Sequence, residues 1–185
     1  MPFEIRKFEK EDFETLWRID QECFDPQLAY SRPELAFYMR RPSAFTLVAK
    51  DRGSKSEGGG EAAGSSSRKD AGAAGSEQTN GTRILGFIVA DKKREAGHII
   101  TIDVIERARR LGVGSALLGA AEDRLRENGA VMVDLETAVN NEAAIRFYKQ
   151  KGYFVEKTVR GYYSNQLDAL VMRKTLVESG SGIHS

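Results

Sequence analysis

The sequence predicts an α/β (α+β) domain: a single mixed, mostly antiparallel sheet of about seven strands with helices on both faces. Three observations lead there. Segments of period-two apolar alternation are interleaved with segments at helical spacing. Their order is strand, two helices, three strands, helix, strand, helix, two strands. Finally, once a stretch rich in Gly, Ser and Ala at 51–82 and the last eight residues are set aside, about 145 residues remain, an ordinary size for one core.

In chain order, Phe3 to Phe8 opens with alternation and reads as a strand, after which Phe13, Leu16, Trp17 and Ile19 fall near helical spacing. Ser31, Pro33 and Glu34 spell a capping box with proline at an early helical position, giving a second helix whose apolar face holds Leu35 with Tyr38 or Met39. Phe45 to Lys50 and Ile84 to Asp91 are strands on either side of 51–82. Runs such as Gly58-Gly59-Gly60 and Ser65-Ser66-Ser67 make that segment unable to bury enough apolar surface to order. Extending a turn from about four to about thirty-two residues costs only about 2 kcal/mol of closure entropy. The segment is therefore expected to be a disordered insertion within one domain spanning 1–177, with 178–185 a short disordered tail.

His98 to Val104 sets Ile100, Ile102 and Val104 between polar neighbours, and Val113 to Asn128 carries Val113, Ala116, Leu117, Ala120 and Leu125 on one helical face until Gly129. Val131 to Thr137 is a further strand. A helix capped by Asn140 or Asn141 then holds Ala144, Ile145, Phe147 and Tyr148 as far as Gly152, and strands near Phe154 to Arg160 and Ala169 to Leu176 close the chain.

Composition narrows the function. Across 185 residues, 28 Lys plus Arg face 27 Asp plus Glu, so no charge excess points to nucleic acid. No run approaches the roughly 18 apolar residues of a membrane span, and Met1 to Lys10 lacks the pattern of a secretory signal. One cysteine and two histidines offer neither an internal disulfide nor a metal cluster. The expectation is a cytoplasmic protein with no metal, no membrane and no nucleic-acid partner.

The most informative stretch is Arg109-Arg110-Leu111-Gly112-Val113-Gly114-Ser115, between a strand and a long amphipathic helix. Glycines at 112 and 114 let backbone approach an anion, and the free N–H groups of a helix start attract one. Arg109, Arg110 and Arg107 add charge-assisted donors. The turn lacks both the Gly-Lys-Ser/Thr ending of a P-loop and the three-glycine spacing of a dinucleotide fingerprint, so another phosphate ligand is implied. A turn that only packs helix on sheet is the alternative.

These residues resemble the Gln/Arg-x-x-Gly-x-Gly/Ala signature of the GCN5-related N-acetyltransferases (GNAT). Asn141 to Tyr148, followed by Gly152-Tyr153, is similar to the family's second motif. Asp134-Leu135-Glu136, Tyr162-Tyr163 and Asp168-Ala169 resemble the ribosomal-protein-alanine and N-terminal-amine acetyltransferases more narrowly. The resemblance implies acetyl-CoA as co-substrate, lying between two splayed parallel strands, His98 to Val104 and Val131 to Thr137. Ile102 and Val104 would bind its arm through main chain, Arg109, Arg110, Gly112, Val113, Gly114 and Ser115 its pyrophosphate, and Asn141 the opposite side. Asn141 is equally suited to capping a helix.

The implied reaction is direct acetyl transfer to a primary amine. An α-amine with pKa near 8 is roughly one-tenth neutral at pH 7 and a lysine near 10.4 only about 0.04%, a difference of about 3.3 kcal/mol. A protein or peptide N-terminus therefore needs only a modest base. Glu136 is the candidate base, against an ordinary solvent-facing or ion-paired strand residue; Tyr148 is the candidate acid for the leaving thiolate, against a core aromatic. Phe24, Tyr30, Tyr162 and Tyr163 would wall the acceptor pocket, or simply pack. Cys23 reads as a small buried hydrophobe. A small-molecule amine such as a polyamine or amino-sugar drug, and a non-catalytic CoA-binding module, are the competing readings.

Overall fold

The computed structural model describes residues 2–53, 83–163 and 166–177. Most of the 51–82 insertion and the whole 178–185 tail lie outside the described residues. Within them the elements are β1 (Phe3–Lys7), α1 (Phe13–Cys23), α2 (Arg32–Met39), β2 (Ala44–Asp51), β3 (Ile84–Lys93), β4 (Ala96–Val104), α3 (Val113–Glu127), β5 (Met132–Ala138), α4 (Glu142–Gln150), β6 (Phe154–Val159) and β7 (Ala169–Thr175). Short 3₁₀ turns at Lys10–Asp12 and Glu106–Ala108 were not foreseen. Strand β2 continues through Asp51, where the insertion was expected to begin, because Asp51 pairs with Phe3 and its N–H reaches Arg83 O. Strands β3 and β4 likewise run on to a tight turn at Arg94, whose φ is 57°.

The seven strands form one sheet in the order β1-β2-β3-β4-β5-β7-β6. Every neighbouring pair is antiparallel except β4 and β5. The apolar stripes of α1 and α3 close on this sheet: Leu16, Leu117 and Leu125 are fully buried with Phe87, Ile88 and Val89 of β3. The capping box of α2 forms as its sequence requires, with Ser31 N donating to the Glu34 carboxylate at 2.9 Å, and Leu35 is buried beneath it. No helix among the described residues is long and apolar enough to cross a membrane.

Two irregularities in β4 position the site. Against β3, Thr101 pairs with Val89 but the next pair is Ile99 with Ala90, so Ile100 is an extra, bulged residue. Against β5, pairing runs only from Ala96–Met132 to Ile99–Leu135, although both strands continue. Beyond the bulge the strands part. Along β4, Ile99, Thr101 and Asp103 are buried, while Ile100, Ile102 and Val104 are half-buried and pack against the core. Thr101 and Asp103 thus put polar groups inside.

Candidate active site

The opening between β4 and β5 presents unused backbone. Ile105 N donates to Leu85 O at 3.0 Å, so by antiparallel alternation Asp103 and Thr101 bond to β3 while Ile102 and Val104 turn their N–H and C=O toward β5. Val104 O already accepts from Arg109 Nε at 3.0 Å and from Cys23 Sγ at 3.5 Å, and Ile100 O accepts from the Tyr30 hydroxyl at 3.4 Å. Cys23 is thus set against the end of β4 rather than sunk in the core. Burial raises its thiol to about 11, which keeps it protonated and a poor nucleophile.

At the foot of the opening the chain turns into α3. Arg110 (φ 60°) and Gly112 (φ 85°) are both left-handed, and Gly112 caps the helix. The first helical bond runs from Ala116 N to Gly112 O, so the N–H groups of Val113, Gly114 and Ser115 have no acceptor within the helix. There is no acidic residue in that first turn, and among the described residues Arg107 and Arg110 form no ion pair. A Cβ at Gly112 would meet nothing within 4 Å, so its glycine answers to backbone conformation. At Gly114 a Cβ would meet Phe147 and Val104 at 3.7 Å, ordinary contact within the protein. Open backbone, free N–H groups and unpaired arginines fit a pyrophosphate, and the splayed strand edge fits an extended amide-bearing arm.

Asn141 caps α4, its Oδ1 accepting from Ala144 N at 3.1 Å, and its Nδ2 has no partner among the described residues. Tyr148 is 6% exposed, with its ring edge-on to Phe147 and Tyr153 at 5.2 and 5.6 Å. Burial raises its phenol well above the ordinary tyrosine range, so the hydroxyl keeps its proton.

On the other side of the opening a small cavity of about 100 Å³ brings together Tyr30, Glu136, Tyr162 and Tyr163, with Tyr38, Arg41, His98 and Ile100 completing its wall. Phe24 does not line it: it ends α1, leaving Tyr30 to reach the cavity. Tyr30 is held by Asp20, whose Oδ2 accepts from Tyr30 N at 2.8 Å, and its ring packs on Tyr38 at 5.2 Å. Burial, with the nearby charge of Asp134, raises the Glu136 carboxyl, opposed by the nearby charge of His98 and by the neighbouring Tyr162 hydroxyl; the net is a raised pKa.

His98 is the residue that sequence reasoning passed over. Its Nδ1 donates to Asp134 Oδ1 at 2.7 Å and its Nε2 lies 3.4 Å from Glu136 Oε2. Burial works against its protonation, but the Asp134 bond and the charge of Glu136 outweigh it, so its pKa is raised. The signal available in sequence was parity: Asp134 and Glu136 share one face of β5.

The model of the Acetyltransferase (GNAT) family matches residues 11–153. An N-alpha-acetyltransferase of Sulfurisphaera tokodaii is 42% identical over 81 residues, 43% of this chain and 48% of that protein, so the match spans about half of that relative's length. An uncharacterized N-acetyltransferase of Methanocaldococcus jannaschii is 28% identical over 171 residues, covering 92% and 90% of the two chains. The crystal structure of Ard1 from Thermoplasma volcanium superposes with a TM-score of 0.72 at 29% identity, covering 96% of this chain and 100% of that one.

Proposed function

The chain belongs to the acetyltransferase (GNAT) family, and from that premise we propose that it is an acetyl-CoA-dependent N-acetyltransferase whose acceptor is the N-terminal α-amine of a protein or peptide. The observation that carries this reading is the cavity that gathers Glu136, Tyr30, Tyr162 and Tyr163 beside the parted strands. A relative named for acetylation of α-amines, from Sulfurisphaera tokodaii, supports the acceptor class.

Arg110, the guanidinium end of Arg109 and the N–H groups of Val113, Gly114 and Ser115 would hold the diphosphate, and the Ile102 main chain with the Val104 N–H the arm, since Val104 O is taken by Arg109 Nε and Cys23. When bound, acetyl-CoA supplies an acetyl group already activated as a thioester. The protein's own work is on protons and position. An α-amine docked between the tyrosines loses its proton to the Glu136 carboxylate, whose burial makes it a better base than an exposed glutamate. The Tyr148 Oη–H faces the opposite requirement. Because its pKa is raised far above that of a thiol, near 8.5, complete transfer to sulfur is uphill; Tyr148 acts chiefly by donating a hydrogen bond to it.

The test is a screen of the purified chain with acetyl-CoA, following thiol release, against short peptides with free α-amines, N-terminally blocked lysine peptides, polyamines and amino sugars. Turnover with free α-amine peptides is expected, and turnover confined to small amines or lysine peptides overturns the acceptor. With the best peptide, Glu136→Gln should lower kcat about 100-fold or more at pH 7 and abolish the acidic limb of the pH profile. Tyr148→Phe, which keeps the packing, should lower kcat by about tenfold. A parental kcat in that variant removes Tyr148 from the reaction.

A further inference from the structure

The small cavity does not end at its tyrosines. It shares Arg41 and His98 with a wide, open cavity of about 540 Å³ that extends to the turn between β3 and β4. The floor of this second cavity is the stretch of β4 around Gly97, which is paired with β3 on one side and β5 on the other. Its backbone groups are used within the sheet, so a ligand lodged there is recognised by side chains.

The charged groups of the wall are Arg41, Asp91, Lys93, Arg94, His98 and Asp134, and most already have partners. Arg41 pairs with Asp91 at 2.8 Å, while Asp134 takes His98 at 2.7 Å and is approached by Arg173 at 3.7 Å. Both carboxylates are thereby answered, whereas Lys93 and Arg94 form no ion pair among the described residues. Glu95, the other charge of that turn, is not part of the wall. Two uncompensated cations thus stand at the outer end of a recess, an arrangement that concentrates positive potential.

These cations are too far away to serve the diphosphate. Ala96 and Val104 are the two ends of β4, roughly 25 Å apart at strand rise, and the arginine-rich bend lies beyond Val104. Glu136 is nearer. Asp134 pairs with His98, which sets Glu136 level with Ile100, and Lys93 pairs with Ala96, about 13 Å back along the strand. An extended chain whose amine lies at Glu136 spans that distance in about four residues.

We propose that the wide cavity binds the segment of the acceptor that follows its N-terminus, and that Lys93 and Arg94 select an acidic side chain, Asp or Glu, at about its third to fifth position. This rests on the acceptor being a peptide or protein N-terminus, and it narrows which one.

Peptides of about ten residues with free α-amines test this on the full chain. Two are identical except for Glu or Gln at the third to fifth positions, and another carries its Glu residues at the eighth to tenth. With acetyl-CoA at low salt, kcat/KM should be about five- to tenfold higher for the first Glu peptide than for the Gln peptide. The excess should lie in KM and shrink below about twofold in about 0.5 M salt. An equal gain from acids at the eighth to tenth positions would mean diffuse attraction, and overturns the proposal. Lys93→Gln with Arg94→Asn, asparagine being tolerant of the left-handed backbone at 94 (φ 57°), should bring the Glu-to-Gln ratio near one at an unchanged urea midpoint. Lys93→Glu with Arg94→Asn should reverse the preference toward a peptide with Lys at those positions. Equal kcat/KM for the Glu and Gln peptides in the parent, or a Glu preference that both variants retain, overturns the proposal. If no free α-amine peptide turns over while a small amine does, the acceptor class is what fails. Calorimetric titration of the CoA-saturated chain then decides the cavity: a tighter Kd for the Glu peptide supports the site, and equal values or no binding of either overturn it.

Discussion

Gly112 and Gly114 have the same side chain and different reasons for it. Gly112 holds a φ of 85° in open space, and Gly114 has ordinary backbone with contacts at 3.7 Å. Gly112→Ala should therefore cost about 1 kcal/mol in urea denaturation and raise the calorimetric Kd for CoA, whereas Gly114→Ala should leave stability within about 0.5 kcal/mol. Equal losses in both variants would contradict this distinction. At this scale the sequence was legible where chemistry is local. The Ser31–Glu34 capping box needs partners three residues apart, and the Arg109–Gly114 bend is contiguous. His98 was not legible, because the carboxylates that give it meaning lie 36 and 38 residues away and meet it only through strand register.

Between elements, the join of α3 to the last strand depends on one buried acid. Glu122 of α3, 6% exposed, accepts from the Tyr153 hydroxyl at 2.9 Å and from Lys174 Nζ of β7 at 2.6 Å. Removing it strands a partly buried ammonium and a phenol together. Glu122→Ala should destabilise the protein by about 3 kcal/mol, read from the urea midpoint at constant slope, and adding Lys174→Met should recover part of that loss. No recovery would place the cost in helix packing instead. Most elements were legible from periodicity to within two or three residues. Strand β4 was among them; what was not legible is its bulge, because an added residue such as Ile100 leaves no mark in composition.

Over the whole molecule, pH dependence comes from acids that the fold buries. Asp20 is fully buried with Oδ1 unpartnered, and burial raises it to about 6; Asp103, also buried, has one unpartnered oxygen, and burial raises it well above the ordinary carboxyl value. A raised acid binds its proton more tightly folded than unfolded, so stability from Asp20 is complete below about pH 4 and falls as pH rises to about 6, by about 3 kcal/mol. Asp20→Asn keeps an acceptor for Tyr30 N. The difference in unfolding free energy between variant and parent should grow in the variant's favour across that window and then level; a difference constant with pH would mean Asp20 does not titrate there. The sheet order was the least legible feature. The closing strands were read as runs, yet nothing in either run says that β7 inserts between β5 and β6, since pairing is a choice among edges made by the assembled core.

The surplus residue in β4 has a wider consequence. Side chains on a strand have two settings and none between, so shortening the chain by one position at Ile100 would exchange the strand's two faces beyond it, sending Thr101 and Asp103 outward and Ile102 and Val104 inward. Here the count of residues carries as much information as their identities. The strand works as a toggle fixed in one position, and every side chain downstream takes its face from that setting.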